Sequence, residues 1–370
     1  MSLTFWKYCD LALVASKDGF FDKSISLCHA ALELVDSGIG GAIVSGRKKY
    51  VGSLIDYITA NKDRNSDQQN LIFENKQLKQ NLLESPFIDP LCITDPAYQY
   101  MNDEKHDFGI IVFGHTRLDS LECVLESLKK QDALQYTEVW LDGDQGKPDL
   151  RNKVNKVIEL VKAYPVKHIN TQRGNYGFRK MILLGMAAMA KKYKDILILE
   201  DDCFPVNGAI AEFRAELDYI RDKKDIFSVY GHHFGVEGLA GTFARFQGWG
   251  WATTSEKLVP VLRQLIDCYS MPEHEYLEFI TRYFTEEIKA KIEITPPRMP
   301  SYTLENFFAW DETLCLLSAL NGQVHRPTKR RTIYNCGMGN DSTHFPENKM
   351  YREPPFNLVS PNEVWDYFDV

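Results

Sequence analysis

The sequence lacks the signatures by which several protein classes declare themselves. Its eight cysteines stand singly, at positions 9, 28, 92, 123, 203, 268, 315 and 336. With no Cys-x-x-Cys pair, neither a zinc ribbon nor a thioredoxin-type motif is indicated. Cys28, Cys123 and Cys315 fall inside apolar patterns and read as buried thiols in a reducing compartment. Excess positive charge is also missing. The 370 residues carry a formal net charge of −8, which argues against a nucleic-acid surface but leaves room for a local basic phosphate pocket. No stretch approaches the ~20 uninterrupted apolar residues of a transmembrane helix. Lys7, Asp10, Lys17 and Asp18 break up any signal-peptide core at the start of the chain. The expected location is the cytoplasm, with peripheral docking on a membrane left open.

What is present is an ordinary globular composition, 44% hydrophobic and 25% charged, with length enough for two or three domains. Residues 1–62 read as a helical hairpin or three-helix unit. Ile25, Cys28, Leu32 and Val35 recur at spacings of three and four, and a second run has Val44, Tyr50, Leu54 and Ile58 as anchors. One such unit falls short of the three repeats a solenoid needs. It is a candidate surface for homo-oligomerisation or protein docking. Residues 63–104 read as a linker, with Leu71, Leu78 and Leu82 marking a short amphipathic helix and Pro86, Pro90 and Pro96 an irregular connector.

From Asp107 the texture changes. Apolar runs at 108–113, 138–141, 166–169 and 196–199 alternate with amphipathic segments at 118–130, 149–164 and 178–193. This β-α-β-α-β-α-β order predicts an α/β fold with a mostly parallel sheet and helices on both faces. Beyond it, helices are expected at 209–221, 256–269, 276–291 and 311–320, and strands at 227–230 and 323–327. Residues 231–250 read as a site loop, and 346–370 as a tail with little periodicity.

Each early strand ends in chemistry. The fourth runs into Glu200, Asp201 and Asp202. Three adjacent carboxylates repel, and a hard divalent cation, Mn²⁺ or Mg²⁺, would neutralise them through oxygen ligands; a solvated acidic turn is the plainer explanation. The first ends in Gly114-His115-Thr116-Arg117, where glycine admits a ligand and Arg117 suits a diphosphate, or Thr116 merely caps a helix. The second ends in Asp142-Gly143-Asp144, whose carboxylates suit a base N–H or an Asp-Gly turn. The third leads into Arg173-Gly174-Asn175-Tyr176-Gly177-Phe178-Arg179-Lys180, a glycine-rich entry to a helix N-terminus where phosphates bind. It is neither a Walker loop nor a dinucleotide fingerprint. One such end is weak evidence; four together favour a nucleotide site. Further on, Trp249 and Trp251 flank Gly250 as candidate sugar-stacking walls or core aromatics. Asp311 and Glu312 follow Trp310 at a helix start, whose dipole favours an ionised base. His344 closes Gly337-Met338-Gly339-Asn340-Asp341-Ser342-Thr343-His344, a candidate metal ligand in a glycine-rich loop.

In this order the motifs resemble those of GT-A-fold glycosyltransferases over about Asp107 to His344. They are nearest to bacterial glycan-biosynthesis enzymes and similar to the Golgi α-mannoside N-acetylglucosaminyltransferases. The resemblance implies transfer of a sugar from a nucleotide diphosphate donor, UDP-sugar favoured, to a glycan or glycoconjugate hydroxyl. It implies Asp202 and His344 as metal ligands, Asp311 or Glu312 as base, Asp142 or Asp144 at the donor base, and Arg117 as the strand-one arginine; Arg173 and Lys180 are candidate phosphate contacts from the glycine-rich helix entry. The helical start of this chain departs from the membrane anchor of the Golgi enzymes. A sugar-nucleotidyltransferase would want a longer basic loop after the first strand than Gly114–Arg117. A non-catalytic glycan-binding scaffold is the remaining alternative.

Overall fold

The computed structural model describes residues 2–17, 20–36, 48, 51–56, 58–59, 105–144, 146–172, 177–233, 241–271, 273–292, 309–339, 345–354 and 356–369. They fall into two compact units. The first is helical. Helix α1 (Ser2–Lys17) packs on α2 (Phe21–Asp36), and residues 51–56 add a further turn of helix. Cys9, Ala12, Cys28, Ala31, Val51, Leu54 and Ile58 form its core. Small residues at the α1–α2 contact let the backbones approach, while Ser24 Oγ donates to the Ala12 carbonyl at 2.5 Å. Helix Glu273–Tyr283, from much later in the chain, belongs to the same unit and pairs Glu278 with Lys23 at 2.6 Å. The expected leucine-patterned helix of 63–104 lies outside the described residues.

The second unit is built on a seven-stranded sheet. Its strands are β1 (His106–Gly114), β2 (Thr137–Leu141), β3 (His168–Thr171), β4 (Tyr193–Glu200), β6 (Ile226–Tyr230), β7 (Trp251–Thr254) and β8 (Val324–Pro327). They lie in the order β3-β2-β1-β4-β7-β6-β8. A separate two-stranded ribbon joins β5 (Cys203–Pro205) to β9 (Ile333–Asn335). Only β7 runs against the others, pairing antiparallel with both β4 and β6. The α/β fold with a mostly parallel sheet is therefore as expected from the alternation.

Side-chain period explains the layers. Phe108, Ile110 and Val112 of β1 join one core with residues of α3 (Leu118–Lys130), α4 (Pro148–Lys162) and α6 (Ala209–Ile220). Ile111 and Phe113 face the opposite side and meet α5 (Phe178–Lys192). There Gly185 lets the helix descend onto the sheet: a Cβ would stand 2.4 Å from Phe113 and 2.7 Å from Ile111. Gly185→Val is expected to overpack this contact and cost about 1–3 kcal/mol, read as a lower urea midpoint of the sheet unit.

Chain direction then fixes where a ligand belongs. From β1 the chain moves outward through β2 to β3, and α5 returns it to the other side of β1, where β4 pairs in parallel. The β1–β4 junction is thus the topological switch point, and crevices form outside the carboxyl ends of strands there.

Several elements differ from expectation. β7 follows the expected loop of 231–250 directly, where no strand was expected, and the ribbon β5–β9 was not foreseen. The helix expected at 276–291 is two, Glu273–Tyr283 and Glu286–Ile292. The expected tail is folded onto the ribbon, with Trp365 and Phe368 edge-on to Phe204 at 5.0 and 6.1 Å and Tyr367 stacked on Tyr334 at 4.4 Å. Cys28, Cys123 and Cys315 are buried outside any disulfide, and burial pushes the thiols of Cys28 and Cys315 up to about 11. Among the described residues no helix is long and apolar enough to cross a membrane.

Candidate functional site

A cavity of about 360 Å³ opens at the switch point, within the range of small-molecule sites. Its floor is set by strand register. Phe113 of β1 lies opposite Glu200 of β4, so the two strands end level and the loops beyond them meet. Gly114, Thr116, Arg117, Asp142, Glu200, Asp201, Asp202 and Trp249 all line it.

The acidic triplet is resolved without leaving three bare charges together. Arg117 stands at the cap position of α3, and its guanidinium bridges both aspartates. Nη1 donates to Asp202 Oδ2 at 2.6 Å and Nη2 donates to Asp201 Oδ1. Thr116 is not the helix cap; the cap position has no side-chain hydrogen bond. Burial pushes Glu200 well above the usual carboxylate range, and Asp202 adds to the push while Arg117 opposes it. Burial raises Asp201 as well, against the pull of Arg117. One guanidinium thus serves both Asp201 and Asp202.

The ribbon brings the late glycine loop to the same point. The Cys336 N–H donates to the Asp202 carbonyl at 2.8 Å, and the Gly337 N–H to Asn335 Oδ1 at 2.9 Å. Gly337 roofs the ion pair so closely that a Cβ would stand 2.3 Å from Asp202 Oδ2 and 2.9 Å from Arg117 Nη1. His344 lies outside the described residues, as does Arg173. Phe345, which follows His344 in sequence, lines the cavity, and its carbonyl accepts from the Gly339 N–H at 3.1 Å.

At the other end of the cavity, Asp142 is 7% exposed and fixed by backbone donors: Gly143 N–H at 2.8 Å and Gly177 N–H at 2.9 Å. The second contact ties the end of β2 to the start of α5. Phe178, half exposed in the cavity wall, and Met181 add an apolar face beside it. Lys180, in the first turn of α5, is partly buried beside this end without lining the cavity; burial lowers its ammonium and Asp142 raises it. Asp144 does not join this group. It accepts from Arg151 Nε at 2.5 Å and from the Gly146 N–H at 2.9 Å, a surface contact at the start of α4. The expectation that either aspartate faces the cavity is corrected to Asp142 alone.

The two tryptophans separate. Trp249 lines the cavity, edge-on to His232 at 4.9 Å and to Phe345 at 5.6 Å. Trp251 is fully buried in β7, stacked on Phe227 and Trp310 at 6.0 and 6.2 Å. It is a core residue and no sugar wall: it opens β7, and Phe227 and Trp310 cover its ring.

Asp311 and Glu312 open helix Trp310–Leu320. Glu312 is committed: Arg245 Nη1 and Nη2 donate to its two oxygens at 2.8 and 2.5 Å, with both residues 9% exposed. That corrects its reading as a base. Asp311 remains partly exposed and sits in the field of Glu200. Burial raises Asp311 above the ordinary carboxylate range, with Arg245 and its own helix N–H groups pulling down. Arg245, Asn335 and Phe345 belong to no sequence motif and were missed. Their placement depends on β7, the ribbon and the folded tail.

Among the described residues no three His, Cys, Asp or Glu side chains are arranged as a metal cage. Mg²⁺-type cations bound with nucleotides usually rely on one or two carboxylates plus substrate phosphates. The donors here fit that mode: carboxylate oxygens of Asp201 and Asp202, already drawing a cation, in a cleft with room for a ligand.

No protein-family profile and no curated protein matches this sequence. Solved structures do show likeness. A mannose-1-phosphate geranyltransferase from Thermus thermophilus is 12% identical, with a TM-score of 0.35 over 62% of this chain and 76% of its own. The mannosyltransferase PcManGT from Pyrobaculum calidifontis, in complex with GDP-Man and Mn²⁺, is 13% identical, with a TM-score of 0.32 over 66% of this chain and 85% of its own. S. aureus TarS 1–349 is 13% identical, with a TM-score of 0.33 over 45% of this chain and 55% of its own. At these scores the likeness carries no argument about chemistry, which rests on the site.

Proposed function

We propose that the protein is a metal-dependent GT-A-type glycosyltransferase. It moves a sugar from a nucleotide diphosphate donor, UDP-sugar favoured, to a hydroxyl of a glycan or glycoconjugate. One observation carries this reading. The switch-point cavity has an acidic end, Asp201–Asp202, and another walled by Asp142 and the ring of Phe178. A sugar diphosphate donor needs both.

In this reading Asp142 accepts from the imide N–H of the base while Phe178 covers its apolar face. Arg117, with Arg173 and Lys180, draws the diphosphate. Mn²⁺ or Mg²⁺ held by Asp202, with His344 as the second protein ligand, would neutralise charge developing on the leaving diphosphate. Trp249 gives the sugar an aromatic wall. Asp311 takes the proton of the acceptor hydroxyl, and the reaction inverts the anomeric centre.

The test is a panel of nucleotide sugars with Mn²⁺, with and without simple glycan acceptors. Release of a nucleoside diphosphate with inverted product is expected. Pyrophosphate release from a nucleoside triphosphate and a sugar phosphate would instead indicate a nucleotidyltransferase. A retained anomeric configuration would remove Asp311 from the role of base.

A further inference from the structure

The Arg117 guanidinium lies where a metal on Asp202 would compete with it. It bridges Asp201 and Asp202 and is itself only 22% exposed, against 5% and 7% for the two aspartate side chains. Gly337 closes over the pair with no space for a side chain. Asp202 Oδ1 has a weaker neighbour, Cys203 Sγ at 3.7 Å, so the strong partner of this carboxylate is the arginine. Two aspartates against one guanidinium leave the group net negative, and a further cation is electrostatically welcome. A divalent ion on Asp202 would not simply add to this arrangement. At 2.6 Å, Nη1 occupies one of the two oxygens a metal would use.

We propose that Arg117 is a built-in counter-ion that competes with the divalent cation for Asp202 and, once displaced from it, serves the donor diphosphate. The inference rests on the metal reading above and adds to it an exchange of partners by one side chain. Without metal, the guanidinium keeps two adjacent carboxylates from repelling and holds the β4 end in place. With metal bound, Asp201 still anchors it, and its Nη1 is released to donate to a phosphate oxygen, a geometry for which arginine suits better than lysine. Arg117 is therefore predicted to oppose metal binding and to favour diphosphate binding, opposite signs from one residue.

The experiment measures Mn²⁺ binding without nucleotide, from the free-ion electron paramagnetic resonance signal, for wild type, Arg117→Met and Arg117→Lys. UDP binding at saturating Mn²⁺ is then measured by calorimetry. Arg117→Met should bind Mn²⁺ at least about threefold more tightly than wild type and UDP at least about tenfold more weakly, the size expected for a lost charge-assisted hydrogen bond. Arg117→Lys, which cannot bridge both carboxylates, should fall between in both titrations and provides the comparison if the methionine variant does not fold. Unchanged or weaker Mn²⁺ binding in folded variants would overturn the exchange while leaving the metal reading intact. Absence of Mn²⁺ binding in every protein, wild type included, both alone and with UDP present, would overturn both.

Discussion

Asp311→Asn is expected to abolish measurable sugar transfer while leaving Mn²⁺-dependent UDP binding within about twofold of wild type. A positioned general base contributes about 10²–10⁴-fold, and an amide cannot accept the acceptor's proton. Among the described residues, its neighbour Glu312 does not substitute for it. Glu312 is held by Arg245 through both oxygens. The sign of the pH dependence follows. A base works deprotonated, so activity falls as pH drops through its pKa. Because burial raises Asp311, the acid limb of the kcat/KM profile should lie above that of an ordinary aspartate, about 3.9. Loss of transfer together with UDP affinity would mean that Asp311 shapes the site rather than serving as base.

The sheet's parallel half was legible because β1, β2 and β4 are buried on both faces. Runs such as Ile196–Leu199 can then be continuously apolar, and each is followed by a helix with one apolar stripe. The candidate site was legible to the extent that it hangs on those strand ends: Gly114, Arg117, Asp142 and Asp202 are placed by register alone. What escaped was non-local. β5 and β9 are three residues each, and pair Cys203 with Asn335 from far along the chain. No periodicity reports such a contact. β7 is four residues of which none is exposed, so Trp251 looks like any loop aromatic until its partners Ile198 and Tyr230 are known. Arg245 had no signal, since its meaning comes entirely from Glu312.

That ion pair gives the second large effect. Arg245→Ala is expected to destabilise the sheet unit by about 3–5 kcal/mol, the usual cost of stripping one partner from a buried pair. Glu312 would be left at a helix start with no counter-ion, where burial already pushes its carboxyl up to about 7 against the pull of Arg245. The double variant Arg245→Met, Glu312→Leu should recover most of the loss, because it removes both desolvated charges and keeps apolar volume. Urea unfolding of the two variants and wild type reads this directly. Equal destabilisation by the single and double changes would show that packing, not charge, dominates the site. The recovered variant would also test positioning: Asp311 loses the guanidinium that lowers its pKa, so the acid limb of its pH profile should move up.

The central claim is that the switch-point cavity binds a nucleoside diphosphate through a metal on Asp202. Calorimetric titration of UDP into wild type and Asp202→Asn, each with and without Mn²⁺, tests it most directly. The account predicts that Mn²⁺ strengthens UDP binding to wild type at least about tenfold, as for a lost or gained charge-assisted contact, and that Asp202→Asn removes this gain. UDP binding that is indifferent to Mn²⁺ and to Asp202 would contradict it.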